Sequence, residues 1–224
     1  MWQTLAQADA LGRAVALLLL AMSVASWVVI VWKGWLLHRA ARSLPLATAA
    51  FWQAADLEDA ARRLVTFDPV GLIAPLVRAV QALQGAPAGT LATAGEPRLH
   101  LTRALRDALH GVLARLQFGQ TLLASVGATA PFVGLLGTVW GVYHALAAIG
   151  LDERFRIEQV AAPVGEALVM TAAGLAVAIP AVLAYNVLGR RIAQIEADLE
   201  GFARDLRDLG EGRGGAERPA GSGA

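Results

Sequence analysis

Three long runs of uncharged, mostly apolar residues constrain this sequence more than any other feature. They cover residues 14–32, 116–151 and 160–189, and only the third is interrupted, by Glu166. The hydrocarbon core of a bilayer is about 30 Å thick, and roughly 20 apolar residues in a helix cross it. Hydrophobic residues make up 56% of the chain and charged residues only 17%, which is too apolar for an ordinary soluble domain. The sequence therefore predicts an all-α polytopic membrane protein with three transmembrane helices.

The first run could also be a cleaved signal peptide, but its length argues against that. Signal peptides have an apolar core of about 7–15 residues. This run is longer, and Trp32, Lys33 and Trp35 follow it. Aromatic and basic residues at the end of an apolar helix anchor it at the membrane surface. We therefore expect a retained first span over residues 14–37.

The distribution of charge predicts which side of the membrane each segment faces. Residues 33–115 contain more Lys and Arg than Asp and Glu, and Arg190 and Arg191 follow the third run directly. The connection at 151–159 contains more acidic than basic residues. Since loops rich in Lys and Arg stay in the cytoplasm, we expect the N-terminus outside and the C-terminus inside.

The predicted order of segments has a large cytoplasmic insertion followed by a tight hairpin of spans two and three. It comprises an outer N-terminus (1–13), span one (14–37), a cytoplasmic helical insertion (38–115), span two (116–150), an outer loop (151–159), span three (160–189), a cytoplasmic helix (190–209) and a tail (210–224). The tail is rich in Gly and has no apolar surface to bury, so we expect it to be disordered.

Helix signals subdivide the cytoplasmic insertion. Ser43–Pro45 and Phe67–Pro69 are predicted to interrupt helices, and Asp56 is predicted to cap one. Residues 85–95 have no periodic pattern and are predicted to form a loop. Apolar residues then recur at helical spacing, so we expect span two to extend into the cytoplasm as one long helix.

Apolar residues beyond span three alternate spacings of three and four, the pattern of a coiled-coil seam. This apolar seam consists of Ile192, Ile195, Leu199, Phe202, Leu206 and Leu209. Such a seam needs a partner helix. Two partners remain open from the sequence: the cytoplasmic helices of the same chain, or another copy of the chain.

Small residues and prolines indicate that spans two and three pack closely. Gly134, Gly137 and Gly141 lie on one face of span two, and helices in lipid associate through such close backbone approach. They predict a tight homo-oligomeric bundle of several copies. Pro131 and Pro180 each remove one backbone hydrogen bond within a span, so either is a candidate kink or hinge.

Glu166 is the strongest candidate for a functional side chain in these spans. An ionisable group at the centre of a transmembrane helix costs about 2.5–3.5 kcal/mol and is a functional candidate by default. Because Glu166 follows Gln159 by only seven residues, a plain interfacial role also remains open. Spans two and three contain no other acidic residue. A proton crossing mid-membrane would therefore need a titratable group supplied by a partner.

Two threonines are predicted to lie at one depth in the hairpin. In an antiparallel hairpin centred near residue 154 or 155, residues whose numbers sum to about 309 are level, and Thr138 and Thr171 meet this condition. The same arithmetic places Tyr143 and His144 near the level of Glu166, as polar groups at an outer mouth. Five helical residues rotate by about 140°, so Glu166 and Thr171 need not share a wall. Threonines in membrane helices also bond their own backbone.

Other chemistries lack their sequence signals. The chain has no cysteine, and its four histidines are scattered without the spacing of metal ligands. It has no phosphate-binding loop and no hydrolase motif. The net charge of +1 provides no basic field for nucleic acid. We expect no enzyme activity, no metal, no cofactor and no nucleic-acid partner.

Two segments resemble a known family. They read LLASVGATAPFVGLLGTVWGVYHALAAIG in span two and VAAPVGEALVMTAAGLAVAIPAVLAYNVLGRR in span three, and the block covers just under a third of the chain. These two segments resemble the MotA/TolQ/ExbB proton channel family, and they resemble its ExbB branch more than its TolQ branch. The flagellar branch is a poorer match, since its members have four spans and a longer chain.

The resemblance implies roles for three residues and a set of partners. The family's threonine in GTVWG falls on Thr138, and its glutamate and threonine in the third span fall on Glu166 and Thr171. It implies a pentamer in the lipid of the bacterial inner membrane, with a periplasmic N-terminus. The pentamer would surround a single-span ExbD-like partner and use protons to energise a TonB-like protein for ferric-siderophore uptake. A TolQ-like subunit of the Tol-Pal envelope system and a non-conducting membrane scaffold remain alternatives.

Overall fold

Every regular element in the part of the chain that the structure describes is a helix. The computed structural model describes residues 10–85, 97–149 and 158–216. These ranges form α1 Ala10–Trp52, α2 Leu57–Phe67, α3 Ala74–Gln84, α4 Pro97–Gln117, α5 Gln120–Ile149 and α6 Glu158–Ala216. Three stretches are long and apolar enough to cross a membrane, within Ala10–Trp52, Arg98–Ala147 and Pro163–Gly210. The predicted helical fold with three candidate spans is confirmed.

The chain divides into two compact units. The span unit comprises Met1–Lys33 and Gly119–Leu188, and the insertion unit comprises Gly34–Phe118 and Gly189–Ala224. The chain therefore passes from one unit to the other three times. At each passage the first residue of the next segment is a glycine: Gly34, Gly119 and Gly189. A Cβ at Gly34 or Gly189 would meet nothing within 4 Å, so packing does not require a glycine at either position.

The span unit buries small side chains and leaves large apolar ones on its surface. Ala130, Ala145, Ala167, Ala178 and Ala181 are each at most 6% exposed. Leu17, Val28 and Phe132 are 65%, 61% and 70% exposed. A soluble domain would bury such residues in its core, whereas a helix surface that faces lipid or a neighbouring subunit does not need to. The exposed faces therefore fit helices that cross a membrane.

Two aspartates of the insertion unit fix the start of α2. The Asp56 carboxylate accepts a hydrogen bond of 2.7 Å from the Asp59 N–H, so the predicted cap is confirmed. The Asp59 carboxylate accepts in turn from the Ala55 N–H at 3.3 Å. Partial desolvation raises the pKa of Asp59, but this hydrogen bond, the hydrogen bond and charge of Arg63, and a hydrogen bond from Arg62 together lower it below its ordinary value.

A buried carboxylate that was not predicted from sequence organises the turn between α2 and α3. Asp68 is 7% exposed. Its carboxylate accepts backbone hydrogen bonds of 2.8–2.9 Å from Leu72, Ile73 and Ala74. The N–H groups at the start of a helix have no partner within the helix, so Asp68 satisfies donors that would otherwise be buried without one. The prediction that Phe67–Pro69 interrupts a helix is confirmed, since α2 ends at Phe67.

The apolar seam of α6 is buried within the insertion unit. Ile192, Ile195, Leu199, Phe202 and Leu206 are each at most 4% exposed. The Phe202 ring packs edge to face on Phe51 of α1, with ring centroids 5.0 Å apart. Of the two partners that the sequence left open, helices of the same chain are the ones that cover the seam.

The structure differs from the sequence prediction at two places in the helices: one predicted interruption is absent, and one break was not predicted. Pro45 does not interrupt α1, which continues to Trp52. A mid-helix proline costs about 3 kcal/mol, and the burial of neighbouring Leu44 and Ala47, at most 4% exposed, offsets this cost. The expected continuous helix into span two is instead broken between α4 and α5 at Gly119, where φ is +87°. A Cβ there would lie 3.0 Å from Val29 Cγ1, so contact with α1 favours a glycine turn.

The C-terminal tail is shorter than predicted. Residues 210–216 belong to α6, although the sequence predicts disorder from 210 onward. A Cβ on Gly210 would lie 2.7 Å from Leu101 Cδ2 of α4, so the Leu101 side chain lies close to the α6 backbone at this position. Predictions for four segments lie outside the described residues. These segments are the outer N-terminus up to 9, the loop at 86–95, residues 150–157 around the outer loop, and the tail from 217.

Candidate functional site

The two predicted threonines meet across the α5–α6 hairpin. The Thr171 hydroxyl donates to the Thr138 hydroxyl oxygen at 3.3 Å, and Thr138 donates to the Leu135 carbonyl of its own helix at 2.7 Å. Thr138 is 7% exposed and Thr171 is half-buried. The two hydroxyls therefore lie at one level, as the hairpin numbering predicts. They form a short polar chain that ends at a backbone carbonyl.

Glycines hold α5 and α6 close enough for this contact. A Cβ at Gly134 would lie 2.6 Å from the Met170 carbonyl oxygen and 3.1 Å from the Gly174 and Thr171 Cα atoms. A Cβ at Gly141 would lie 2.8 Å from Ala167 Cβ. Real Cβ atoms do not approach neighbours this closely, so any larger residue would push the helices apart. The threonine contact therefore depends on the absence of side chains one turn away.

Gly137 brings α1 against the same hairpin. A Cβ at this position would lie 3.0 Å from Met170 Cβ of α6 and 3.1 Å from Val15 Cγ1 of α1. Because Gly137 precedes Thr138 directly, all three helices of the span unit converge at the level of the threonine pair. The threonine pair therefore lies where the three helices of the span unit meet, with Thr138 buried and Thr171 half-buried.

The two prolines lie within continuous helices. Pro131 is inside α5 and Pro180 is inside α6, and both are half-buried. Each lacks an N–H for the carbonyl four residues earlier, which frees the carbonyls of Gly127 and Ala176. By the hairpin numbering, both prolines lie below the threonine pair on the side away from Glu166. Their role as kinks or hinges stays a prediction.

Glu166 lies on an exposed face of α6. Within the described residues its carboxylate has no hydrogen bond or ion pair, and the adjoining Leu168 and Val169 are 62% and 57% exposed. Thr138 is buried, so one chain does not enclose Glu166 and the threonine pair in a common pocket. The side chain faces outward, where lipid, another copy or a partner helix would meet it.

An aromatic cluster occupies the α5 turn at the level of Glu166. His144 lies 5.0 Å from Trp140 and 5.9 Å from Tyr143 between ring centroids. Tyr143 and His144 are exposed, and their place at an outer mouth stays a prediction. Trp140 was not predicted from sequence, and its Nε1 is buried without a hydrogen-bond acceptor among the described residues. The i, i+3, i+4 spacing of the three aromatic residues was the signal available.

A second set of polar groups lies at the opposite end of the span unit. Lys33 is fully buried, with its Nζ 5.0 Å from the Trp32 ring centroid, a cation–π distance. A Cβ at Gly119 would lie 3.8 Å from Lys33 Cε. The next residue, Gln120, has both amide atoms buried without a partner among the described residues. From sequence, Lys33 was expected to be a surface anchor, and Gln120 carried no signal.

Comparison with known proteins identifies the family. The model of the MotA/TolQ/ExbB proton channel family matches residues 73–201, more than half of the chain. The chain belongs to this family. Its matched region contains Thr138, Glu166 and Thr171, so the candidate site lies within the part common to MotA/TolQ/ExbB proteins. Members of the family are associated with channels and transport and are not known as enzymes.

Individual MotA/TolQ/ExbB relatives differ in their similarity to the chain. The biopolymer transport protein ExbB of Xanthomonas campestris pv. campestris (strain B100) is 42% identical over 209 residues, 89% of this chain and 81% of the relative. The ExbB of Neisseria meningitidis serogroup A is 42% identical over 199 residues, 86% of this chain and 88% of the relative. The Tol-Pal system protein TolQ of Pseudomonas aeruginosa is 33% identical over 214 residues, which are 93% of this chain and 91% of the relative. The ExbB interpretation is therefore better supported than the TolQ alternative.

Proposed function

We propose that this chain is an ExbB-type subunit of a proton-driven motor in the bacterial inner membrane. It works with a single-span ExbD-like partner and a TonB-like protein to energise uptake of ferric siderophores and similar nutrients across the outer membrane. Protons are its coupling ion, and it is not an enzyme. The Thr171–Thr138 hydrogen bond, in a chain 42% identical to ExbB proteins, is the observation that supports this function most directly.

The threonine pair is suited to meet a protonated group from a partner. Each hydroxyl has one hydrogen, and both are used: Thr171 donates to Thr138, and Thr138 donates to Leu135. The Thr171 oxygen keeps two lone pairs that can accept hydrogen bonds. Because Thr171 is half-buried and the spans contain no acidic residue at this depth, a donor such as a protonated carboxyl or a water molecule would come from outside the chain.

Glu166 supports assembly into an oligomer around that partner. A lipid-facing carboxylate within a span is costly, although Glu166 lies near the outer end of span three and not at its centre. Next to another copy or a partner helix, the Glu166 carboxylate can stay hydrated and exchange protons. Tyr143 and His144 lie at the same level. In this proposal Glu166 is at the entry of the proton path and the threonine pair is in its middle. A pentamer with a periplasmic N-terminus and cytoplasmic C-terminus is the expected assembly.

The direct test is ferric-siderophore uptake in cells that lack their own ExbB and TolQ. The cells carry this chain with its cognate partners, and the wild type is compared with Glu166→Ala at matched protein levels. We expect uptake by the wild type and loss of uptake in Glu166→Ala. Uptake by both would make Glu166 structural and favour the non-conducting scaffold. Restored envelope integrity without uptake would favour the TolQ-like alternative.

A matched pair of threonine substitutions isolates the polar path from general effects on packing. Thr171→Val keeps the side-chain shape and removes the hydroxyl. Thr129→Val makes the same change on α5, at an exposed threonine whose hydroxyl only bonds the Ser125 carbonyl of its own helix at 2.7 Å. We expect loss of uptake for Thr171→Val and nearly wild-type uptake for Thr129→Val, with unchanged assembly of both. Equal uptake by the two variants would refute the threonine path.

A further inference from the structure

A basic groove lies between α1 and the end of α2 in the insertion unit. Its volume is about 380 Å³. His38, Arg39 and Arg42 line it on the α1 side with Trp35, and Phe67 lines it on the α2 side. These five side chains are all exposed. The groove thus combines three basic groups with two aromatic rings on an open surface.

The charge of this groove is not neutralised within the described part of the chain. None of its lining residues is acidic. Arg39 lies over the Trp35 ring at 5.5 Å, and neither Arg39 nor Arg42 forms an ion pair among the described residues. Elsewhere in the unit, arginines such as Arg63 do pair with a carboxylate, here Asp59 at 2.9 Å. The electrostatics of the groove therefore favour an anionic ligand.

The position of the groove along α1 indicates which anion. Span one is expected to end at residue 37, and a helix rises about 1.5 Å per residue. Arg39 and Arg42 therefore follow the end of the span by about 3 and 8 Å, which is about the depth of the lipid headgroups beyond the hydrocarbon core, and Trp35 lies just inside that end. Tryptophan is enriched at this level. An apolar ring beside two guanidinium groups matches the junction between acyl chain and phosphate.

We propose that the basic groove binds the headgroup of an anionic phospholipid such as phosphatidylglycerol. Arg39 and Arg42 contact the phosphate, and the Trp35 and Phe67 rings contact the glycerol and the start of the acyl chains. The guanidinium group is suited to phosphate because its planar donors bond two oxygens at once. This binding site is independent of the proton path and does not require the proposed motor function.

The experiment measures lipid binding to the full chain purified in detergent. Native mass spectrometry counts bound lipid during titration with phosphatidylglycerol or phosphatidylcholine. We expect preferential binding of phosphatidylglycerol. Arg39→Gln/Arg42→Gln removes both guanidinium groups that contact the phosphate, so we expect it to weaken this binding by about 30-fold. Circular dichroism and size-exclusion chromatography check that the variant is folded and assembled like the wild type.

Matched controls decide between a defined site and diffuse attraction. Arg190→Gln/Arg191→Gln removes the same charge directly after the third apolar run, and we expect it to change phosphatidylglycerol affinity by less than threefold. An equal loss in this control, or equal binding of phosphatidylcholine, overturns the proposal. So does saturation of the site by inorganic phosphate with no further binding of lipid. Unchanged lipid binding together with loss of a co-purifying partner in Arg39→Gln/Arg42→Gln would assign the groove to an acidic protein segment instead.

Discussion

Replacement of Gly134 by alanine tests whether the distance between α5 and α6 controls the threonine contact. The new Cβ would lie 2.6 Å from the Met170 carbonyl oxygen and 3.1 Å from two Cα atoms of α6. Carbon atoms prefer separations of about 3.5–4.0 Å, so the helices must separate by about 0.5–1 Å. The Thr171–Thr138 distance is 3.3 Å. With this displacement added, the distance between the two oxygens would exceed the length of a hydrogen bond.

The expected loss of stability in Gly134→Ala is the difference between two opposing effects. Overpacking of a close helix contact costs about 1–3 kcal/mol, and alanine in place of glycine in a helix contributes about 1 kcal/mol of stability. A net loss of about 1 kcal/mol corresponds to a fall in Tm of about 2–4 °C for a chain of this size. We expect this shift in thermal unfolding of the purified protein, together with loss of siderophore uptake similar to that of Thr171→Val.

Gly165→Ala provides the stability control for this prediction. Gly165 lies in α6 of the same unit, and a Cβ there would meet nothing within 4 Å. Only the gain in helix propensity applies, so its Tm should rise or stay unchanged. If Gly134→Ala shows the same Tm as Gly165→Ala and retains uptake, the helices tolerate the extra methyl group. The reasoning that links close packing to the threonine contact would then be refuted.

Three further substitutions test the folding of the two units, each by thermal unfolding of the purified chain. Asp68→Ala leaves three backbone donors without their acceptor, and hydrogen bonds to charged groups contribute about 1.5–3 kcal/mol each. We expect a loss of at least about 4 kcal/mol and faster hydrogen exchange at the start of α3. Gly119→Ala should lower the free energy of unfolding by about 1–3 kcal/mol because of the positive φ at this position. In the double variant Gly119→Ala/Val29→Ala, only the steric part of this loss should be relieved. Full recovery of stability in the double variant would contradict backbone strain at Gly119. Phe202→Ala should lose about 3–5 kcal/mol, whereas an unchanged Tm would mean that its contact with Phe51 is dispensable.

The span helices and the threonine register were accessible from sequence because simple geometry determines them. The uncharged runs have the length that a bilayer requires, and a tight hairpin fixes which residues are level. The contact of Gly141 with Ala167 follows the same numbering as the Thr138–Thr171 bond. Helical period and loop length therefore suffice to align α5 with α6.

Features that depend on contacts between distant segments could not be predicted. The sequence around Gly119 was predicted to continue one long helix, and the positive φ of Gly119 and its approach to Val29 are seen only in the structure. Lys33 stands at the end of an apolar run, where a lysine ordinarily reaches toward water, but it is buried. Asp68 precedes a proline and reads as a turn residue, whereas its role depends on three backbone donors that the fold brings to it.

The functional part of the site was predictable to a lesser degree. A lone carboxylate in an apolar span identifies Glu166 as a candidate from sequence, and the structure of one chain leaves it exposed. Its role depends on what covers that face, and this information lies in the surface of another molecule. For Thr171, by contrast, the contact is within the chain, so sequence numbering and structure converge on it.

The glycines at the passages between the two units have a mechanical consequence. Gly34 and Gly189 are in the interior of α1 and α6, where glycine destabilises a helix by about 1 kcal/mol relative to alanine. Their open Cβ positions show that alanine would fit. The third passage, at Gly119, has no regular helix at all. Helix propensity therefore supports α1 and α6 least at Gly34 and Gly189, and local opening of the backbone there should cost less than at the neighbouring residues.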